Sequence, residues 1–204
     1  MSQGVTIIGA GGHGKVVLAT AQTAGLVVEA LYDDDEGRWG ENVLGVQVVG
    51  PISDVPAGTQ AILALGSNVA RKRLASACDL DWQILVHPRA WVHPSAKIGV
   101  GTVVFAGAII QPGASIGEHV VVNTGASVDH DATLEHFSFL GPGARLAGAA
   151  KLSEGAFLGV NAGVLPGCSV GAWTQIGAGG IVTQNIPAHV TAVGVPAKIV
   201  RAAK

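Results

Sequence analysis

The triplet Asp129-His130-Asp131, at the end of the run Asn123-Thr124-Gly125-Ala126-Ser127-Val128, sets an imidazole between two carboxylates. An unperturbed imidazole titrates near pH 6.5, close to working pH, and a neighbouring carboxylate favours its charged form, so the triplet suits proton transfer. His87, His93, His119, His136 and His189 lack this flanking pattern and read as solvated corner residues. A second constellation lies near the start, in Gly9-Ala10-Gly11-Gly12-His13-Gly14-Lys15, followed at a distance by Asp33-Asp34-Asp35. Glycines at 9, 11 and 14 have the spacing of the dinucleotide fingerprint, in which phosphates approach backbone N–H groups at a helix N-terminus.

The element that carries His130 is written in a period of six. Every sixth position from Val86 to Val182 is Val, Leu or Ile, and a small residue stands two places before nearly every one. Such a period contains neither a helical repeat nor a long strand, so each hexad is one short strand plus a turn. Three hexads make a triangular coil, and residues eighteen apart stack at roughly 4.8 Å. The result is a parallel β-helix whose aliphatic ladders fill a prism. His130 falls two residues after the inward Val128, at a corner, where it points outward toward a neighbouring subunit. The outer faces are poor in charge, which predicts contact with other subunits.

The first eighty residues follow a different pattern. Val5 to Ile8 reads as a buried strand, Val16 to Ala24 as a helix, Val27 to Tyr32 as a second strand, Gly45 to Val49 as a strand or hairpin piece, and Gln60 to Leu65 as a strand. The last runs through Gly66-Ser67-Asn68 into a helix with Arg71, Lys72 and Arg73. Strand, glycine loop and helix form a βα unit of a small, mostly parallel Rossmann-like sheet, whose ligands bind beyond the carboxyl ends of the strands. The sheet holds about half of what a dinucleotide spans, so a mononucleotide fits better, with Asp33 or Asp34 accepting from a base or ribose. The alternative is that the glycines only make tight turns and the aspartates cap a strand. The expected domains are 1–80, the Rossmann-like domain, and 81–204, the β-helix with a C-terminal tail.

With 204 residues and a formal net charge of −2, the chain offers no electrostatic case for nucleic acid. Its mean hydropathy of +0.46 belongs to ladders and interfaces, because every apolar run is broken before the roughly 18 residues that a membrane span needs. The two cysteines, Cys78 and Cys168, and the lack of a signal-peptide pattern predict a cytoplasmic protein without disulfides.

Jointly, the glycine loop with Val16-Val17, the aspartate strand end, Gly66-Ser67-Asn68 with Arg71, the segment around His130 and Gly194-Val195-Pro196-Ala197-Lys198 resemble bacterial nucleotide-sugar N-acetyltransferases. These acetylate UDP- or GDP-linked amino sugars and have sialic acid O-acetyltransferases as relatives. The resemblance, not the period, implies a left-handed β-helix. It also implies a homotrimer with acetyl-CoA between prisms, the nucleotide-linked amino sugar on the small domain, and no metal. His130 is then the general base, with Asp131 before Asp129 as the carboxylate that orients it. Gly9, Gly11, Gly12, His13, Gly14, Lys15, Asp33, Asp34, Gly66, Asn68 and Arg71 are the expected nucleotide-sugar residues. Phe139, Gly148, Gly159, Ala178 and Lys198 are those expected for acetyl-CoA. Phe139 departs from the family, which often carries a second histidine near the thioester nine residues after the first.

Two other classes compete. The γ-type carbonic anhydrases use a similar trimer with histidine zinc ligands, but tetrahedral zinc needs three protein ligands, and no two histidines of the repeat are separated by a multiple of eighteen. A non-catalytic nucleotide-sugar-binding protein would share both domains, yet it has no use for a base between two carboxylates.

Overall fold

A computed structural model describes residues 4–202, so the outer ends of both expected domains, 1–3 and 203–204, lie outside the described residues. The N-terminal sheet contains β1 (Val5–Ile8), β2 (Val28–Tyr32), β3 (Asn42–Val43), β4 (Val46–Gly50), β5 (Gln60–Leu63) and β6 (Asp81–Trp82), in the order β3-β4-β2-β1-β5-β6. Only β3 and β4 pair antiparallel, as a hairpin. Helix α1 (Gly12–Thr23) starts inside the glycine loop, four residues before the expected Val16, and α2 (Asn68–Ala77) follows β5. The chain moves from β1 toward β2 and later returns to β5 on the other side of β1. The topological switch point, where ligands bind in such sheets, therefore lies between the carboxyl ends of β1 and β5. Because β6 pairs with β5, the sheet runs to Trp82, two residues past the expected boundary.

Residues 85–182 form the parallel β-helix. Strands of two residues pair in register with those eighteen residues away, as in Val103↔Val121 and Val104↔Val122, and build three sheets. The ladder residues Val104, Val122, Leu140, Leu158 and Ile176 are completely buried. Each such side chain contributes roughly 1.5–3 kcal/mol of burial, shared between neighbouring coils. Corner glycines permit the stacking: a Cβ at Gly99 would lie 2.6 Å from the carbonyl carbon of Gly117. A C-terminal hairpin, Val190–Val193 with Lys198–Ala202, extends the first sheet.

The outward residues distinguish the three faces. The first face presents Leu85, Val103, Val121 and Phe139, all buried under the N-terminal domain together with Val17, Leu18 and Ala21 of α1. The second presents Trp91 and Ile109, which are 49% and 39% exposed, followed by Ser127, Arg145, Gly163 and Ile181. The third presents Lys97, Ser115, Thr133, Lys151 and Ser169 and is polar.

Candidate active site

His130 sits at the corner between the second and third faces, the edge opposite the face that carries the N-terminal domain. Its Nδ1 lies 3.0 Å from Oδ2 of Asp131, while Oδ1 of Asp129 accepts the backbone N–H of His130 at 2.7 Å. The two carboxylates thus divide the work, Asp131 holding the ring and Asp129 the backbone. The hydrogen bond that Asp131 accepts, then the charge of Asp129, raise the imidazole pKa above its ordinary 6.5. With Nδ1 engaged by Asp131, Nε2 is the ring nitrogen that no carboxylate holds. The ring rests over Gly148, one coil further on.

The glycine loop separates into two groups. Gly9 has φ +106°, and a Cβ there would lie 2.9 Å from the Ala64 carbonyl; a Cβ at Gly14 would collide with the carbonyl of Gly9. Strand–helix packing therefore accounts for Gly9 and Gly14. Gly11, Gly12 and Gly66 lie outside the left-handed region and have open space where a Cβ would be, so nothing among the described residues requires glycine there. Gly11 caps α1 without a side-chain hydrogen bond, which leaves first-turn N–H groups at the switch-point crevice. Lys15 is exposed on that turn.

The aspartates are already engaged. Asp33 accepts from Ala10 N at 2.7 Å and Asp35 N at 3.0 Å, and Asp34 accepts from Ile52 N at 3.0 Å, fastening the loops around the crevice. His13 is redirected from the expected ligand contact. Its ring packs at 5.5 Å from Phe105 and 6.2 Å from Phe139, with Nε2 buried and without a hydrogen-bond partner among the described residues. Burial, then the charge of Arg71, lower its pKa to about 4.

Two expectations need correction. Arg71, expected at the nucleotide sugar, is 1% exposed and holds the domains together: its guanidinium donates to the carbonyls of His119, Leu65, Phe137 and Ser138 and to Asn68 Oδ1. Asn68 completes the clamp by donating to the Gly155 carbonyl at 2.9 Å, so both ends of its amide are in use. Phe139, expected beside acetyl-CoA, is 7% exposed, stacks on Phe157 at 5.1 Å and lies beneath Arg71. It faces the N-terminal domain because residue 139 is an outward position of the first face, whereas His130 occupies the opposite edge.

The remaining positions lie on the β-helix surface. Gly159 is buried with its N–H donating to Ile176, and a Cβ there would lie 2.6 Å from Ala178 N, so coil stacking requires the glycine. Ala178 is exposed at the same corner, and Lys198 opens the last strand. Gly66 and Asn68 line a cleft of about 470 Å³ with Gly155, Phe157, Trp173 and Gln175, a set that includes none of the glycine-loop residues. Among the described residues no group of three His, Cys, Asp or Glu side chains could hold a metal ion, and no helix is long and apolar enough to cross a membrane.

Residues 4–78 match the family described as PglD N-terminal domain. UDP-N-acetylbacillosamine N-acetyltransferase from Bacillus subtilis (strain 168) is 39% identical over 110 residues, 50% of this chain and 51% of that protein. The chain spans about half the length of the curated relatives it matches, or less. Solved structures match throughout. A histidine-to-asparagine variant of perosamine N-acetyltransferase from Caulobacter crescentus, in complex with CoA and GDP-perosamine, is 40% identical with a TM-score of 0.91, covering 98% of each chain. The acetyltransferase domain of PglB from Neisseria gonorrhoeae FA1090 is 35% identical, also with a TM-score of 0.91, covering 98% of this chain and 100% of that one; a second structure of it holds acetyl coenzyme A. The chain belongs to the hexapeptide-repeat family of nucleotide-sugar N-acetyltransferases.

Proposed function

We propose that this protein transfers the acetyl group of acetyl-CoA to the amine of a nucleotide-linked amino sugar, with His130 as general base. The observation that carries the reading is the exposed His130–Asp131 pair, on a chain alike from end to end to an acetyltransferase that binds CoA and GDP-perosamine. The amine nitrogen attacks the thioester carbonyl carbon while Nε2 of His130 takes the amine proton. Backbone N–H groups near Gly148 and Ala178 are the candidate donors to the oxyanion. Collapse breaks the C–S bond, and the imidazolium returns the proton to the departing CoA thiolate, giving the amide and free CoA. The nucleotide enters the crevice between β1 and β5, where the open Gly11 and Gly12 let a diphosphate reach the N–H groups of α1, beside Lys15.

His130 and the glycine loop lie on opposite sides of one prism, so the site is completed by a second copy. We assign the second face, which carries the exposed Trp91 and Ile109 beside Ser127 and Arg145, to the interface of a homotrimer; the cytoplasm and glycan biosynthesis are the corresponding setting. The test is release of CoA from acetyl-CoA in the presence of GDP- and UDP-linked 4-amino sugars, with sialic acid as the hydroxyl-bearing alternative. Turnover on an amino sugar supports the reading. Turnover confined to sialic acid, or none on any acceptor, overturns it.

A further inference from the structure

At the corner between the second and third faces, one position repeats down the coils as Pro94, Pro112, His130, Gly148 and Pro166. Within these five coils proline gives way at the histidine and at the coil directly after it; the next residue in the series is Gln184. A Cβ at Gly148 would lie 2.5 Å from Nε2, 2.7 Å from Cε1 and 3.2 Å from Cδ2 of His130, so the imidazole occupies the space where a side chain would otherwise stand. The next corner position tells the same story in the other direction. Asp131 and Ala149 both hold it in the left-handed region, at φ +58° and +56°, so that backbone shape does not demand glycine. Yet one coil before Asp131 the residue is Gly113, where a Cβ would lie 2.5 Å from Oδ1 of Asp131. Gly167 occupies the same position two coils after Asp131, and a Cβ there would meet nothing within 4 Å.

We propose that Gly113 and Gly148 are positioning residues for the reaction, a pair of vacated corners that seats the Asp131 carboxylate from one side and the His130 ring from the other. The proposal rests on His130 as the base. Asp129 and Asp131 are the charged groups that act on His130; corners 111–114 and 147–150, which flank it, carry no titratable residue. A methyl at 113 forces the carboxylate off its 3.0 Å contact with Nδ1, and a methyl at 148 lifts the ring itself. Misplacement of a catalytic group by about 1 Å costs on the order of 10²-fold.

The experiment compares Gly113→Ala, Gly148→Ala and the matched Gly167→Ala in the full chain. It measures kcat, KM, CoA affinity by calorimetry and the His130 titration by NMR. Both slot variants are expected to lose about 10- to 100-fold in kcat with CoA affinity unchanged, and Gly167→Ala to stay within about twofold. In Gly113→Ala the His130 pKa falls toward its value in Asp131→Asn, and adding Gly113→Ala to Asp131→Asn causes no further loss. Slot variants within about twofold of the parent while His130→Ala is inactive overturn the proposal, as does a Gly148→Ala defect confined to CoA affinity. An active His130→Ala instead overturns the base assignment. In that event the NMR titration still decides the seating, because an unmoved His130 pKa in Gly113→Ala refutes it.

Discussion

At the level of single residues, the proposed base His130 and its partner Asp131 make the most direct prediction. General-base assistance contributes about 10²- to 10⁴-fold, so His130→Ala should lose that much in kcat while both substrates still bind. Asp131→Asn should lose less. Because Asp131 raises the His130 pKa, the imidazole stays protonated, and inactive as a base, to a higher pH than an ordinary histidine. Removing the carboxylate lowers that pKa, so the acidic limb of the kcat/KM profile should move to lower pH; an unmoved limb assigns it to another group. Phe139 carries a different expectation. A histidine at 139 would place a polar ring in the packed junction between His13, Phe157 and Arg71. Phe139→His should therefore cost on the order of 1–3 kcal/mol in denaturant unfolding, through a buried polar group left without its partner. Unchanged stability with faster turnover would place residue 139 at the thioester instead.

Between elements, the junction of the N-terminal domain with the first face has both a mechanical and a pH-dependent side. Arg71 answers several buried carbonyls and makes no ion pair among the described residues, and burial lowers its pKa to about 9. Arg71→Met leaves those acceptors without a donor, at about 1–3 kcal/mol for each group left unsatisfied, and lysine cannot reproduce the planar fork. Differential scanning calorimetry should show a lower, split transition; a single transition at the parent temperature would remove the clamp role. His13 and His119 also lie at this junction, and burial first, then Arg71, lower each pKa to about 4. Unfolded histidine takes up its proton near 6.5, so stability should fall as pH drops from about 6.5 to about 4, by up to about 3 kcal/mol per group. Little of this junction could be read in the sequence. A helix bearing Arg71, Lys72 and Arg73 ordinarily turns its charges to water, and no local pattern reports that one of them is buried. A usable signal existed at spacing eighteen: Leu85, Val103, Val121, Phe139 and Phe157 are large and apolar, whereas Lys97, Ser115, Thr133, Lys151 and Ser169 are not. Read that way, the covered face and the fate of Phe139 follow.

For the whole molecule, the hexad period made the β-helix legible because a core built from one inward position per strand has to repeat wherever the strand repeats. What the period omits is how the two halves of the candidate site meet. The glycine loop lies above the first face and His130 on the opposite edge, so a site that uses both takes one from each of two chains. That arrangement can be tested by complementation. Gly11→Val obstructs backbone approach in the nucleotide crevice and leaves His130 untouched, while His130→Ala leaves the crevice intact. Each variant alone should be inactive. When equal amounts are unfolded together and refolded, each site in a randomly mixed cyclic trimer pairs an intact crevice with an intact histidine in about one case in four, so about a quarter of parental activity should return. Mixing without refolding should restore none, because the chains stay in their own assemblies. If the refolded mixture is as inactive as its components, while light scattering and mass spectrometry show mixed trimers, the crevice and the base act within one chain, and the shared site is wrong.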